Sequence, residues 1–270
     1  MTVETQAKTP KPDFDLTYSI DDFEAGTHRD SHYLYRAIEN TMLDLATDVR
    51  GGRVLDVACG TGRVAVRIAE RGCMAVGAEA SMEMIGVGRY VEPNSKALML
   101  RSIAEMLPFA GGSFDRVICQ GSLDHFADPS AFMRETARVI KPEGRVVIAL
   151  ANFESVSCRL GRALDGTKKR LGRQLPEWRP YYEIPLDHNV KGDLPYVQGL
   201  GGDALVLDRC FGISLLWLFS RYGAVLDKLP ERAATRIWAT LDRLARNRPQ
   251  DSDMIISVWR KPGATPWRAR

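Results

Sequence analysis

The stretch that most limits what this chain can fold into is Val54–Gly72, VLDVACGTGRVAVRIAERG. An apolar run ends in an acid, turns through two glycines and continues as an amphipathic helix. That pattern hands a strand to a helix at an edge where ligands bind. Gly60 and Gly62 permit backbone angles and a close approach that side chains would forbid. The amides opening the helix at Gly62–Val64 then point at whatever lies over the strand end. GTGRVA also satisfies G-x-G-x-x-A, so a dinucleotide and a smaller adenosyl nucleoside both fit the turn by spacing.

From Gly51 to Leu150 strands and helices alternate. Strands are expected at Arg53–Val57, Cys73–Gly77, Ala97–Arg101, Phe114–Cys119 and Arg145–Leu150. Helices are expected at Gly62–Arg71, Ser81–Val91 and Ser130–Ile140, after a leading helix from Ser31 to Asp48 with apolar Leu34, Ile38, Met42 and Leu45. Near-continuous apolar strands such as RVVIAL belong in a parallel sheet covered on both faces. The fold class is therefore α/β, a Rossmann-like doubly wound sheet with ligands at the carboxyl ends of its strands. Beyond Leu150 a basic run (158–180, seven Lys or Arg against two acids) leads into a Gly-, Pro- and Asp-rich loop. A strand at Asp203–Cys210, helices around Ile213–Leu226 and Glu231–Arg246, and a last strand at Asp253–Trp259 follow. The division expected is a tail and lead-in (1–30), a cofactor-binding core (31–150), a partly helical cap with one returning strand (151–252), and a last strand and tail (253–270).

Bulk properties narrow the class. A net charge of +3 is too mild to indicate nucleic acid, and the longest apolar run, Cys210–Ser220, is far short of the ~20 residues a spanning helix needs. The N-terminus lacks an apolar signal core, so a cytoplasmic protein is expected. Five scattered cysteines without a C-x-x-C pair read as reduced, mostly buried thiols, and no metal site is expected from spacing.

Two acids bear on the ligand. Asp56 sits in the strand end, four residues before Gly60. A buried carboxylate there suits a cationic cofactor and suits a pyrophosphate poorly, although an acid capping the loop amides would look the same. Glu79, 17 residues past Gly62, ends the next strand where it can accept both ribose hydroxyls. Both cofactor types carry ribose, so Glu79 alone does not choose.

With these motifs in order, the sequence resembles the class I S-adenosylmethionine-dependent methyltransferases, in particular the group that includes the ubiquinone/menaquinone C-methyltransferases. VLDVACGTGRVA looks like the family's first motif, and VGAEASMEMIGVGR (Val76–Arg89) like its second strand, ribose acid and following helix. Ala104–Leu150 is similar to the later motifs nearly end to end, and GTHR (Gly26–Arg29) faintly resembles an upstream Gly-x-His-Arg of the quinone enzymes. The resemblance implies the family's fold, mostly parallel with a C-terminal antiparallel strand, and S-adenosylmethionine as cofactor. It also implies roles. Asp56, Gly60 and Gly62 would wall the methionine portion, with Ala58 and Cys59 contributing backbone. Glu79 would hold the ribose, with Ala80 and Met84 near the adenine. Ala104 and Glu105 would line the adenine edge, and Gln120 would stand beside the methionine portion. Ile103 departs from the Asp many relatives carry, which puts the adenine contacts in doubt.

Methyl transfer from a sulfonium is an in-line displacement in which alignment dominates, worth up to ~7–11 kcal/mol. A base is needed only when the acceptor must lose a proton. His125, in SLDHFADP beyond the fourth strand, is the candidate base, and a structural role in the loop competes with that reading. His28 is the candidate wall residue, and Asp124 reads equally as a solvated loop acid. Tyr181, Tyr182 and His188 are cap residues that line a substrate pocket or lie on the surface. The apolar segment Phe211–Pro230 fits a lipophilic acceptor tunnel, a surface for peripheral membrane contact, or buried cap core. The basic run Arg159–Arg173 reads first as a solvated helix face. No Asn/Asp-Pro-Pro-aromatic signature or Pro-Cys nucleophile is present, so a small-molecule acceptor is favoured over nucleic acid. An NAD(P)-dependent oxidoreductase and a non-catalytic cofactor-binding homologue remain as alternatives.

Overall fold

A computed structural model describes residues 29–174, 180–185, 188–217, 219 and 222–267. Seven strands form one sheet in the order β3-β2-β1-β4-β5-β7-β6. They are β1 (Arg53–Val57), β2 (Met74–Glu79), β3 (Leu98–Arg101), β4 (Phe114–Gln120), β5 (Ile140–Ala151), β6 (Val206–Ile213) and β7 (Met254–Arg260). β1 to β5 pair in parallel, while β7 runs antiparallel to both β5 and β6. The chain order reverses between β1 and β4, whose carboxyl ends open the crevice that such sheets use for ligands.

Strand alternation splits the core into two layers. Leu55, Val57, Val117, Cys119, Val146 and Ile148 face one side, with Phe126, Phe132 and Trp259. Val54, Ile118, Val147 and Ala149 face the other, against Leu34, Ile38 and Met42 of α1 (Arg29–Ala46) and Ala65 and Ile68 of α2 (Arg63–Glu70). The buried Glu39 of α1 takes Arg63 at 2.7 Å and also Arg67, which fixes α2 behind the glycine turn.

Four further helices start where side chains cap them. Ser81 caps α3 (Met82–Val91), Asp128 caps α4 (Pro129–Val139), Ser155 caps α5 (Val156–Arg170) and Asp193 caps α6 (Leu194–Gly199). α7 (Tyr222–Asp227) and α8 (Glu231–Arg246) lie between β6 and β7. The core strands and helices stand within a few residues of their expected positions, except that β5 begins at Ile140, paired with Phe114.

The helix expected at Ile213–Leu226 is corrected. β6 continues to Ile213, paired with Met254, and only Tyr222–Asp227 is helical among the described residues. A short apolar run does not distinguish strand from helix by period, and here pairing with β7 decided it. Phe211, Ile213 and Trp217 pack into the α1-side core, which is the buried-core reading of that segment. All five cysteines are free thiols, three buried and two half-buried. Among the described residues, no helix is long and apolar enough to cross a membrane.

Candidate active site

The chain leaving β1 turns through Ala58, Gly60 and Gly62, whose φ angles are 55°, 56° and 77°. Left-handed residues in such a turn aim backbone amides into a shared concavity. Gly62 caps α2 without any side-chain hydrogen bond, so the first amides of the helix face the crevice. Below the turn, a Cβ on Gly77 would stand 2.5 Å from Met99 Sδ and 2.7 Å from Cys59 Sγ. The glycine lets β2 pass under the loop, and the two sulfur side chains fill the floor.

Two acids define the crevice. Asp56 is 3% exposed and its Oδ2 has no hydrogen-bond partner. Burial first, then the neighbouring Glu79 charge, push its carboxyl up to about 8, opposed by a hydrogen bond from the Ala65 amide of α2. Glu79 accepts the Gly60 N–H at 2.8 Å through Oε2 and the Ser81 N–H at 2.9 Å through Oε1. Its remaining lone pairs are those a ribose would use. Gln120, at the end of β4, also has a buried unpartnered oxygen, Oε1. Burial and the same two acids push the Cys59 thiol well up, so it is not a reactive thiolate.

On the β2 side, Ala80, Met84 and Ala104 are buried. The Met84 methyl would lie 3.4 Å from a Cβ on Gly60, directly beside the turn. Glu105 is committed locally: its Oε1 accepts the amides of Ala127 at 3.0 Å and Asp128 at 3.3 Å. It links the loop after β3 to the loop after β4.

Beyond β4 a 3-10 turn, Leu123–His125, carries Asp124 and His125. Asp124 is buried, not solvated. Its Oδ2 lies 2.9 Å from His188 Nδ1, a residue of the cap. His125 packs edge-on against the His188 ring at 4.6 Å, so it does not stand alone as an isolated base would. Tyr181 and Tyr182 do not join this group. They clamp α5, through Ser157 O at 2.9 Å and Asp165 Oδ2 at 2.7 Å. In the basic run, Arg159 and Arg162 of α5 are paired with Asp251 and Glu154. His28 lies outside the described residues.

A family model described as "Methyltransferase domain" matches residues 55–148, which run from β1 through β5. Over these residues the chain is similar to the class I S-adenosylmethionine-dependent methyltransferases. A curated relative, the ubiquinone biosynthesis O-methyltransferase of Xanthomonas oryzae pv. oryzae, is 32% identical over 139 residues, 50% of this chain and 57% of that protein. The protein of the same name from Dechloromonas aromatica is 34% identical over 116 residues, 41% of this chain and 49% of that protein. The chain thus spans about half the length of the curated relatives it matches. Among solved structures, an S-adenosylmethionine-dependent methyltransferase from Thermotoga maritima superposes with a TM-score of 0.56 at 18% identity, covering 85% of this chain and 90% of that one. The PH0226 protein of Pyrococcus horikoshii gives 0.55 at 19%, covering 86% and 91%. At such identities these two speak for the fold.

The crevice fits S-adenosylmethionine, the cofactor that goes with the matched domain. Buried oxygens without donors, Asp56 Oδ2 and Gln120 Oε1, need hydrogen-bond donors or positive charge. An ammonium and a sulfonium supply both. A pyrophosphate would place further negative charge beside two buried acids. Asn189, by contrast, had no signal in the sequence. It donates its backbone N–H to Asp124 O at 2.7 Å and its Nδ2 to His125 O at 2.9 Å and Phe126 O at 3.1 Å. Some 64 residues separate the partners, and no local spacing reports such a contact.

Proposed function

We propose that this protein transfers a methyl group from S-adenosylmethionine to a small-molecule acceptor at the carboxyl edge of β1 and β4, with a lipophilic acceptor favoured. The observation that carries the reading is the pair of buried, unpartnered oxygens of Asp56 and Gln120 above a glycine turn tied down by Glu79. The match to the methyltransferase domain supports it, as do relatives named for O-methylation in ubiquinone biosynthesis.

The cofactor supplies an electrophilic methyl on a positively charged sulfur. The chain's residues supply alignment and exclusion of water. Asp56 and Gln120 receive the donor end of the methionine portion. Glu79 takes the ribose while its two backbone hydrogen bonds hold the turn closed. Ala80, Met84 and Ala104 give the base an apolar slot, with backbone groups rather than Glu105 left for polar contacts. The 3-10 turn and residues 188–193 of the cap bound the acceptor side, where the buried Asp124 and the half-buried His188 keep water out.

The direct test is transfer of isotope-labelled methyl from S-adenosylmethionine into a fractionated cell extract, with mass spectrometry of what becomes labelled. Label in a low-mass, organic-extractable compound is expected. Label confined to nucleic acid would refute the acceptor class. Thermal stabilisation by reduced nicotinamide dinucleotide and none by S-adenosylhomocysteine would refute the cofactor.

A further inference from the structure

A second set of polar side chains converges where the cap meets the sheet edge. Asp124, His125 and His188 each offer one ligand atom, and these atoms all lie within 4.8 Å of one another. The Asp124 side chain is 5% exposed, and its Oδ1 has no hydrogen-bond partner. Its Oδ2 approaches His188 Nδ1 to 2.9 Å, yet that nitrogen is out of hydrogen-bond alignment. The carboxylate therefore keeps a buried oxygen that no protein donor satisfies, beside a ring nitrogen that is not aligned to share a proton with it.

We infer that Asp124, His125 and His188 form a binding site for one divalent first-row transition cation. Two imidazoles and one carboxylate suit zinc, cobalt, iron or manganese better than the oxygen-only sets that hold calcium or magnesium. Donors sharing an ion tetrahedrally at about 2.1 Å stand roughly 3.4 Å apart, so side-chain shifts of up to about 1.4 Å close the set. The supports are in place. Asn189 fastens residues 188–193 to the 3-10 turn by three hydrogen bonds. Phe153 stands edge-on to the His188 ring at 5.8 Å, and His125 crosses it at 79°. Such outer contacts fix the orientation of ligating rings.

Three protein ligands leave coordination positions open toward the acceptor. This consequence, unlike the site itself, rests on the methyltransferase reading. A hydroxyl oxygen held there would release its proton to water more readily. It would then form the bond to the methyl carbon as the carbon–sulfur bond breaks and the sulfonium becomes a neutral thioether. The acceptor atom would be oxygen, and His125 would serve as a ligand, not a free base.

The test titrates the tag-free full chain, stripped of metal by chelator, with Co²⁺ while recording the visible ligand-field bands. Saturation at one Co²⁺ per chain is expected, with the bands abolished by one equivalent of Zn²⁺. His188→Ala and Asp124→Asn should each weaken binding at least tenfold. Melting shifts with S-adenosylhomocysteine, measured on each variant, report the fold and the cofactor crevice separately. The cation site is overturned if no saturable spectrum forms, or if His188→Ala binds Co²⁺ as tightly as the parent. A parent chain that binds no Co²⁺ while both variants melt lower would make Asp124 and His188 a plain ion pair. Stabilisation by S-adenosylhomocysteine without one-to-one Co²⁺ binding removes this inference alone. One-to-one Co²⁺ binding without that stabilisation removes the cofactor reading and leaves the site.

Discussion

Gly60 donates its backbone N–H to Glu79 Oε2 at 2.8 Å, so the acid that would hold the ribose also holds the turn that would receive the rest of the cofactor. The other oxygen is held by Ser81 N–H, and the Ser81 side chain in turn caps α3 at the Met84 amide. Turn, acid and helix start therefore form one connected unit. A ligand that engages Glu79 meets a carboxylate already locked in place, which reduces the ordering cost of binding.

Glu79→Ala is expected to lose more than a ribose contact. Hydrogen bonds to a charged acceptor are worth about 1.5–3 kcal/mol each, so losing those to ribose and loosening Gly60 should weaken S-adenosylhomocysteine binding by roughly a hundredfold or more. Glu79→Gln keeps one acceptor oxygen and should fall between. Titration calorimetry checks both. Equal affinity in parent and Glu79→Ala would remove the ribose assignment.

Asp56 gives a pH dependence whose sign can be stated. Burial and Glu79 raise its carboxyl from 3.8 to about 8 in the folded chain. The folded state then binds more protons than the unfolded state between those values. Stability from this group is full below about pH 4, declines as pH rises, and is lost above about 8. Asp253, raised to about 7 mainly by burial, adds a slope of the same sign. The informative quantity is therefore the difference between parent and Asp56→Asn in thermal melts from pH 6 to 9. Asp56→Asn should melt progressively higher than the parent as pH rises, while its affinity for S-adenosylmethionine drops. A parallel pair of melting curves would mean that Asp56 does not titrate in this range.

The core was legible because each of its signals is local. Strand runs, capping residues and the spacing from Asp56 through Gly62 to Glu79 all lie within one βαβ unit, and pairing then places them at one edge. The cap was not legible for the opposite reason. β6 is set by pairing with β7, some 40 residues on, and its apolar end reads equally well as helix. Asp124 reads as a loop acid until Asn189 and His188 cover it. Glu105 sits where a base-lining acid would, but the amides of Ala127 and Asp128 claim one of its oxygens.

Ala58 is the one non-glycine among the left-handed residues of the turn, at φ 55°. The left-handed region costs a residue with a Cβ roughly 1–2 kcal/mol, part of which glycine returns as unfolded-chain entropy. Ala58→Gly is expected to stabilise the protein by about 0.5–1 kcal/mol, a rise in Tm of roughly 1–4 °C. Calorimetric melting checks this. A lower Tm would show that packing of the Ala58 methyl against the β1–β4 core outweighs the backbone strain.

Asn189 fastens residues 188–193 to the turn after β4. Its side chain makes two of the three hydrogen bonds there, to His125 O at 2.9 Å and Phe126 O at 3.1 Å, and its backbone makes the third. Asn189→Ala removes the two side-chain bonds and leaves the fold of the sheet untouched. Each bond contributes about 0.5–1.5 kcal/mol net, so the local opening of residues 188–193 should become roughly 5- to 100-fold more populated. Amide exchange of that segment should accelerate by the same factor, while exchange in β1 and β4 stays at the parent rate. Binding of S-adenosylhomocysteine, proposed to engage the opposite side of the crevice, should change little. KM for the acceptor should rise. Unchanged exchange at residues 188–193 would mean that the hydrogen bond from Phe153 N–H to Gly192 O and the Lys191–Glu154 pair hold the segment without Asn189. A loss of cofactor affinity would mean that the two sides of the crevice are coupled through the turn after β4.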